Sequence, residues 1–162
     1  MATCSVPGVD VNNGRNIILQ RAVNCTPDAN GNIVWQTIRR SRSLTPIAIN
    51  QVRDTFDDRD SQSGSTTVST GIEYGDVQIE LNWETDYRLH QLLESDCENE
   101  RFWLYRQVVP GAVYRAREFL AQVASFVPAA PTNGRRTATA TLDIDDRSMK
   151  KKILSGQPTF AT

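Results

Sequence analysis

From Gly75 to Trp83 apolar and polar residues alternate without a break. Val77, Ile79, Leu81 and Trp83 fall on one side, and Asp76, Gln78, Glu80 and Asn82 on the other. A period of two over that length predicts a half-buried strand, one face on a core and the other on something polar. After Trp83 the period changes. Leu89, Leu92 and Leu93 recur at helical spacing with Tyr87 beside them, which predicts a helix from about Thr85 to Asp96. Thr85 or Asp86 stands where a cap is needed, and an acidic first turn would suit the helix macrodipole.

The rest of the pattern is β-like. Asn16–Val23 and Ile33–Arg40 are short strand-like runs around the turn cluster Thr26–Gly31, where Asn30-Gly31 tolerates positive φ. Ser43–Asn50 has Leu44, Ile47 and Ile49 as its apolar content, and Pro46 places it at an edge or bulge. Arg101–Val109 alternates, with Phe102 and Leu104 opposite Trp103 and Tyr105, and Pro110-Gly111 follows as a turn. Val113–Val127 fits two periods: Phe119, Ala121, Val123 and Ser125 alternate, whereas Val113, Ala116, Leu120, Val123 and Val127 suit a helix. The flanking Pro110-Gly111 and Pro128–Pro131 favour the strand. Arg136–Ile144 sets threonines against Ala138, Ala140, Leu142 and Ile144. The sum is a mainly β fold, an antiparallel β-sandwich or barrel with one flanking α-helix.

Three segments lie outside this pattern. Residues 1–14 read as an extended N-terminal arm, and the polar, basic tail gives a C-terminal arm at 147–162, leaving 15–146 as the β domain. Gln51–Thr70 is a polar stretch, long for a connection in a compact domain. It reads as a loop used on a neighbour, the alternative being a flexible, solvated loop.

Composition narrows the functions. The net charge of −1 and pI near 5.8 lack the footprint of a protein that grips nucleic-acid backbones. Lysine occurs only at 150–152, so fifteen of the eighteen basic residues are arginine. Arginine suits bidentate pairing across interfaces, although codon bias yields the same excess. Cys4, Cys25 and Cys97 are far apart and odd in number, which argues for reduced thiols rather than a disulfide framework or zinc site. The N-terminus lacks a signal-peptide pattern, and no apolar run is long enough to span a membrane.

Catalytic apparatus is sparse. His90 is the only histidine and reads as a surface or packing residue; Cys97 lies about two helical turns away, too far to pair with it in a continuous helix. Asp58, Asp60 and Gln62 begin an EF-hand-like spacing, but Ser63 and Ser69 stand where glycine and glutamate are required. Asp143, Asp145 and Asp146 read as a solvated cluster. No nucleotide-binding, hydrolase or metalloprotease motif occurs. The chain reads as a non-enzyme without metal or cofactor.

The order of parts carries a resemblance. Ser43-Leu-Thr-Pro46 leads to an acidic arm with Asp57, Asp58 and Asp60, then Ser69-Thr-Gly71, the strand Gly75–Trp83, a short helix, an aromatic strand and a Thr-rich last strand. Over about residues 40–146 this resembles the tail tube (major tail) proteins of long-tailed bacteriophages, in the lambda-like family. The resemblance implies a structural virion protein, made in the host bacterial cytoplasm, whose hexameric rings stack into a tube. Tape measure, terminator and tail tip proteins are the implied partners, with no membrane, and double-stranded DNA passes through the lumen to the host without specific binding. It also implies that the loop reaches the adjacent ring. Inter-subunit contacts then fall to Arg53, Asp54, Asp57, Asp58, Arg59 and Asp60, with Phe56 as apolar anchor. The alternatives are a terminator or contractile-tail tube of the same fold, a soluble β-barrel binding a small ligand, and an enzyme using Cys97 or the aspartates.

If the loop is a contact, Phe56→Ala should weaken assembly more than Asp60→Ala. Tube yield by electron microscopy would give the order, and equal effects would remove Phe56 as the anchor.

Overall fold

The computed structural model describes residues 17–56, 66–156 and 158, with the side chains of all of these except Phe56 and Thr66. The described strands are β1 (Ile18–Ala22), β2 (Trp35–Thr37), β3 (Ser41–Leu44), β4 (Ile49–Phe56), β5 (Thr66–Tyr74) and β6 (Val77–Asn82). Helix α1 (Arg88–Glu98) follows, then β7 (Phe102–Val109), β8 (Tyr114–Ala129), β9 (Thr137–Ile144) and β10 (Lys150–Leu154). All pairings are antiparallel. The main sheet runs β2-β1-β7-β8-β9-β6-β3, while β4 and β5 pair only with each other.

That sheet closes on itself. Its terminal strands, β2 and β3, are consecutive in the chain, and residues 38–40 carry the backbone from one edge to the other. Ile38 N–H donates to the Leu19 carbonyl at 2.9 Å on one side, and Asn82 N–H to the Arg40 carbonyl at 2.8 Å on the other. Arg40 turns this corner at φ 64°, a left-handed conformation that few non-glycine residues adopt. β2 pairs only with β1 and β3 only with β6, so the sheet closes through the chain rather than through hydrogen bonds between its terminal strands.

The long strand β8 is the spine of the barrel. β7 runs along one edge; the other is shared by β9, which pairs with 121–129, and β10, which pairs with 114–118. Between β9 and β10 a 3₁₀ turn at Asp146–Ser148 fills the gap: Asp145 N–H donates to the Leu120 carbonyl, and Leu120 N–H to Ser148 Oγ. Lys150–Leu154 of the polar tail, which carry no core pattern, are thus folded onto the domain by backbone pairing. Periodicity cannot reveal such a strand, because its neighbour supplies hydrogen bonds rather than an apolar surface.

The interior is filled. Val77, Ile79 and Leu81 of β6, Ala140 and Leu142 of β9, Phe119 and Ala121 of β8, and Tyr105 of β7 are all buried in one cluster with Leu89 and Leu93 of α1. The alternation expected for Gly75–Trp83, Val113–Val127 and Arg136–Ile144 corresponds to these inward faces. Ser43–Asn50 divides instead: β3 is an edge strand with a bulge between Ser41 and Ser43, Pro46 falls after it, and Ile49 starts β4.

Helix α1 begins later than expected. Its cap is Tyr87 with no side-chain cap bond, its first turn has no acidic residue, and Thr85 and Asp86 belong to the preceding turn. Tertiary anchors hold it instead. Asp96 takes a fork of hydrogen bonds from Arg21 of β1, Nε to Oδ2 at 2.9 Å and Nη2 to Oδ1 at 3.1 Å, with both residues buried. The Tyr105 hydroxyl donates to the same carboxylate at 3.1 Å, and the guanidinium lies 4.3 Å from the Trp103 ring centre. Burial, reinforced by the Asp96 charge, pushes the Tyr105 phenol far up, so it stays a donor.

Asp96→Ala strands a buried guanidinium, a loss of about 3–5 kcal/mol. Chemical denaturation followed by circular dichroism should show it; a loss under about 1 kcal/mol would mean that packing alone holds α1.

Candidate assembly surface

β4 and β5 form a ribbon that leaves the barrel at Ala48 and Gly75, where Gly75 N–H donates to the Ala48 carbonyl at 3.0 Å. The strands approach so closely that a Cβ on Gly75 would lie 3.0 Å from that of Ala48, so the root of the ribbon depends on glycine. Asp146 of the 3₁₀ turn pins the same point by accepting the Tyr74 N–H at 2.8 Å. Further out, a bulge between Val52 and Arg53 adds local twist.

This ribbon occupies most of the segment expected to be a loop. Its strand character is visible in Thr66, Thr67, Val68, Thr70 and Ile72, residues that favour extended backbone. The alternation of a half-buried strand is missing because neither face lies on the core. Ile49, Val52, Val68 and Ile72 are all exposed, at 40–57% of their surface. A lone two-stranded ribbon is marginally stable in water, so one with exposed apolar side chains on both faces is built to be covered.

The two faces differ in their polar chemistry. Gln51 Nε2 donates to Ser69 Oγ at 2.8 Å, Arg53 donates to Gln51 Oε1, and the Thr55 and Thr67 hydroxyls lie 3.4 Å apart, so this face satisfies itself. Register puts Asp54 opposite Val68, and Val52 and Glu73 on the same opposite face. Arg53 and Asp54 are therefore exposed but point to opposite sides. Phe56 ends β4 in register with Thr66. The side chain of Phe56, and Asp57, Asp58, Arg59 and Asp60 altogether, lie outside the described residues.

The remaining chemical candidates have structural roles. His90 is fully buried: Nδ1 accepts the Glu84 N–H at 3.2 Å and Nε2 faces the Arg39 carbonyl at 3.2 Å, with Tyr87 edge-on at 4.7 Å. The accepting Nδ1 fixes the neutral ring with its proton on Nε2. Burial pulls its pKa below the ordinary imidazole value; the Arg39 carbonyl opposes this and the Arg40 charge adds to it. Asp145 caps the 3₁₀ turn and Asp146 holds Tyr74. Among the described residues no group of three metal-ligating side chains comes together.

A groove of about 830 Å³ lies outside the barrel, between the Cys25–Trp35 segment, β7, β8 and β10. Three of its four charged lining residues are engaged. Glu118 is within 2.9 Å of Lys152 and 3.9 Å of Arg106, and Arg106 donates to Gln20 and lies over Trp35. Burial lowers the Arg106 pKa, and Glu118 acts against it.

No protein-family model matches the chain, and no curated protein matches it. Solved structures do. A chain of the anti-feeding prophage baseplate is 10% identical over 94% of this chain and 97% of its own, with a TM-score of 0.61. A chain in the tail of the empty gene transfer agent particle is 13% identical over 88% and 98%, with a TM-score of 0.62. The SPP1 tail tube protein is 10% identical over 88% and 79%, with a TM-score of 0.64. The chain thus has the tail tube fold, mainly antiparallel β with one helix.

Because His90 is neutral when folded and takes a proton more readily when unfolded, its contribution is complete above pH about 6.5 and declines as pH falls below that value. Unfolding free energies measured from pH 7.5 to 5 should fall, and His90→Gln should flatten the slope. An unchanged slope in the variant would assign the acid sensitivity to other groups.

Proposed function

We propose that the chain is a structural subunit of a phage-type tail, which assembles into stacked hexameric rings and forms the tube through which DNA passes to the host. One observation carries the reading: a tail tube fold whose two-stranded ribbon projects with exposed apolar side chains and pairs with no other strand among the described residues. The neighbours of like fold belong to multi-subunit assemblies, a six-fold baseplate and a tail of C6 symmetry among them. A near-neutral chain suits a lumen along which a polyanion slides without sticking. Tape measure, terminator and tip proteins are the partners this role requires, and the virion is its location.

A tail component other than the main tube is the second reading, favoured by the likeness to a baseplate chain over nearly all of both chains. The small-ligand reading loses its premise, because the barrel interior is occupied by side chains such as Tyr105, Phe119 and Leu93.

Negative-stain microscopy of the purified protein should show rings or tubes; small featureless particles at high concentration would overturn the proposal. The ribbon can be tested separately, since Asp54 and Val68 are register partners that a two-residue turn can join. Replacing residues 55–67 by Asn-Gly should leave a folded monomer melting within about 3 °C of the parent but unable to form tubes. Normal tubes from that variant would exclude the ribbon tip from assembly.

A further inference from the structure

Two faces of this molecule carry charge that nothing among the described residues answers, and they are opposite in sign. The first is the ribbon face with Val52, Asp54, Val68 and Glu73, all exposed. No ion pair or hydrogen bond engages either carboxylate among the described residues, in contrast to the self-satisfied side of the same ribbon.

The second lies on the β7–β8–β10 extension. Register puts Arg117 directly opposite Lys151, and Arg115 opposite both Ile153 and Val109, so these residues share one face. Like charges directly opposed across a strand pair destabilise it. No acid among the described residues compensates this pair, whereas on the reverse face Lys152 reaches Glu118 at 2.9 Å. One nitrogen of Arg117, Nη1, is buried without a hydrogen-bond partner. Ile153 is 72% exposed and Val109 40% exposed beside these cations. A buried donor left unpaired costs stability.

We infer that these faces are the two halves of one contact: the Asp54/Glu73 face of the ribbon on one copy docks against the Arg115/Lys151 face of another. Acid between valines meets base between Ile153 and Val109, so charge and apolar surface match together. Two different patches of one chain make a heterologous contact, the kind that builds rings or filaments rather than closed two-fold dimers. The inference rests on the self-assembly proposed above and assigns the residues through which copies meet. The contact sets carboxylates against the uncompensated cations and removes the exposed apolar side chains of both faces from water.

Complementary charge reversal tests it. Asp54→Lys/Glu73→Lys turns the ribbon basic, and Arg115→Glu/Lys151→Glu turns the sheet face acidic. Each variant alone should need roughly tenfold more protein to assemble, the scale expected when like charges face each other. An equimolar mixture should assemble within about threefold of the parent, because each reversed face then meets an opposite one. Sedimentation velocity and electron microscopy read both quantities, and thermal melts confirm folding. If a reversal unfolds the chain, the Asn/Gln and Gln/Gln versions replace it, and each should weaken assembly.

Parent-like tubes from both single variants would overturn the inference while leaving the tube reading intact. Reciprocal rescue of small oligomers without rings or tubes would support the contact and overturn the tube reading. Recovery only in a chain carrying all four substitutions, with none in the mixture, would make the contact intramolecular and overturn the inference. Loss of double-stranded DNA binding in Arg115→Glu/Lys151→Glu, with assembly unchanged, would assign that face to phosphate instead.

Discussion

Sheet closure is the constraint on which the rest of this molecule depends. Three residues between β2 and β3 carry the backbone from one edge of the sheet to the other, and Arg40 turns the corner in a left-handed conformation. Once the edges meet, every inward side chain faces another, and alternate residues of β6, β8 and β9 form one core. Between β3 and β6 the described strands β4 and β5 leave the barrel as a ribbon that pairs only with itself.

Charge has two separate uses. Inside the subunit arginine acts through its planar fork: Arg21 grips Asp96 and lies on Trp103, and Arg106 bonds Gln20 while lying on Trp35. Lysine would supply neither the fork nor the stacking plane. The excess of arginine, readable as an interface signal or as codon bias, thus has an intramolecular use as well. Outside, the uncompensated cations of β8 and β10 and the carboxylates of the ribbon lie on faces without a partner among the described residues. Such surfaces gain stability only from association, which suits a protein whose proposed work is structural.

The elements with one buried face were legible from the chain. Val77, Ile79 and Leu81 alternate because they enter a core, and Phe119, Ala121 and Val123 resolve an ambiguous segment into a strand for the same reason. The ribbon was legible only as an unusual length of polar chain, since a strand solvated on both faces leaves no periodic signature. β10 was missed for a related reason: three successive lysines are held by backbone pairing to β8. At α1, Leu89 and Leu93 gave the helix, but not the Tyr87 cap, because Asp96 and its buried partners anchor it from the sheet. Of the candidate contact residues, Arg53 and Asp54 have described side chains, and they point to opposite faces.

The sequence by itself determined the class of the fold, the strands and helix that line its core, and the absence of a recognisable catalytic motif. All of these follow from local period and residue type, which the chain carries without reference to its partners in space. Only the tertiary structure decided that the sheet closes, that strands β4 and β5 of the long polar segment pair as a ribbon, and that Arg117 and Lys151 stand opposed with no compensating acid among the described residues. Those features depend on pairings between residues tens of positions apart, where register rather than composition sets which side chains meet.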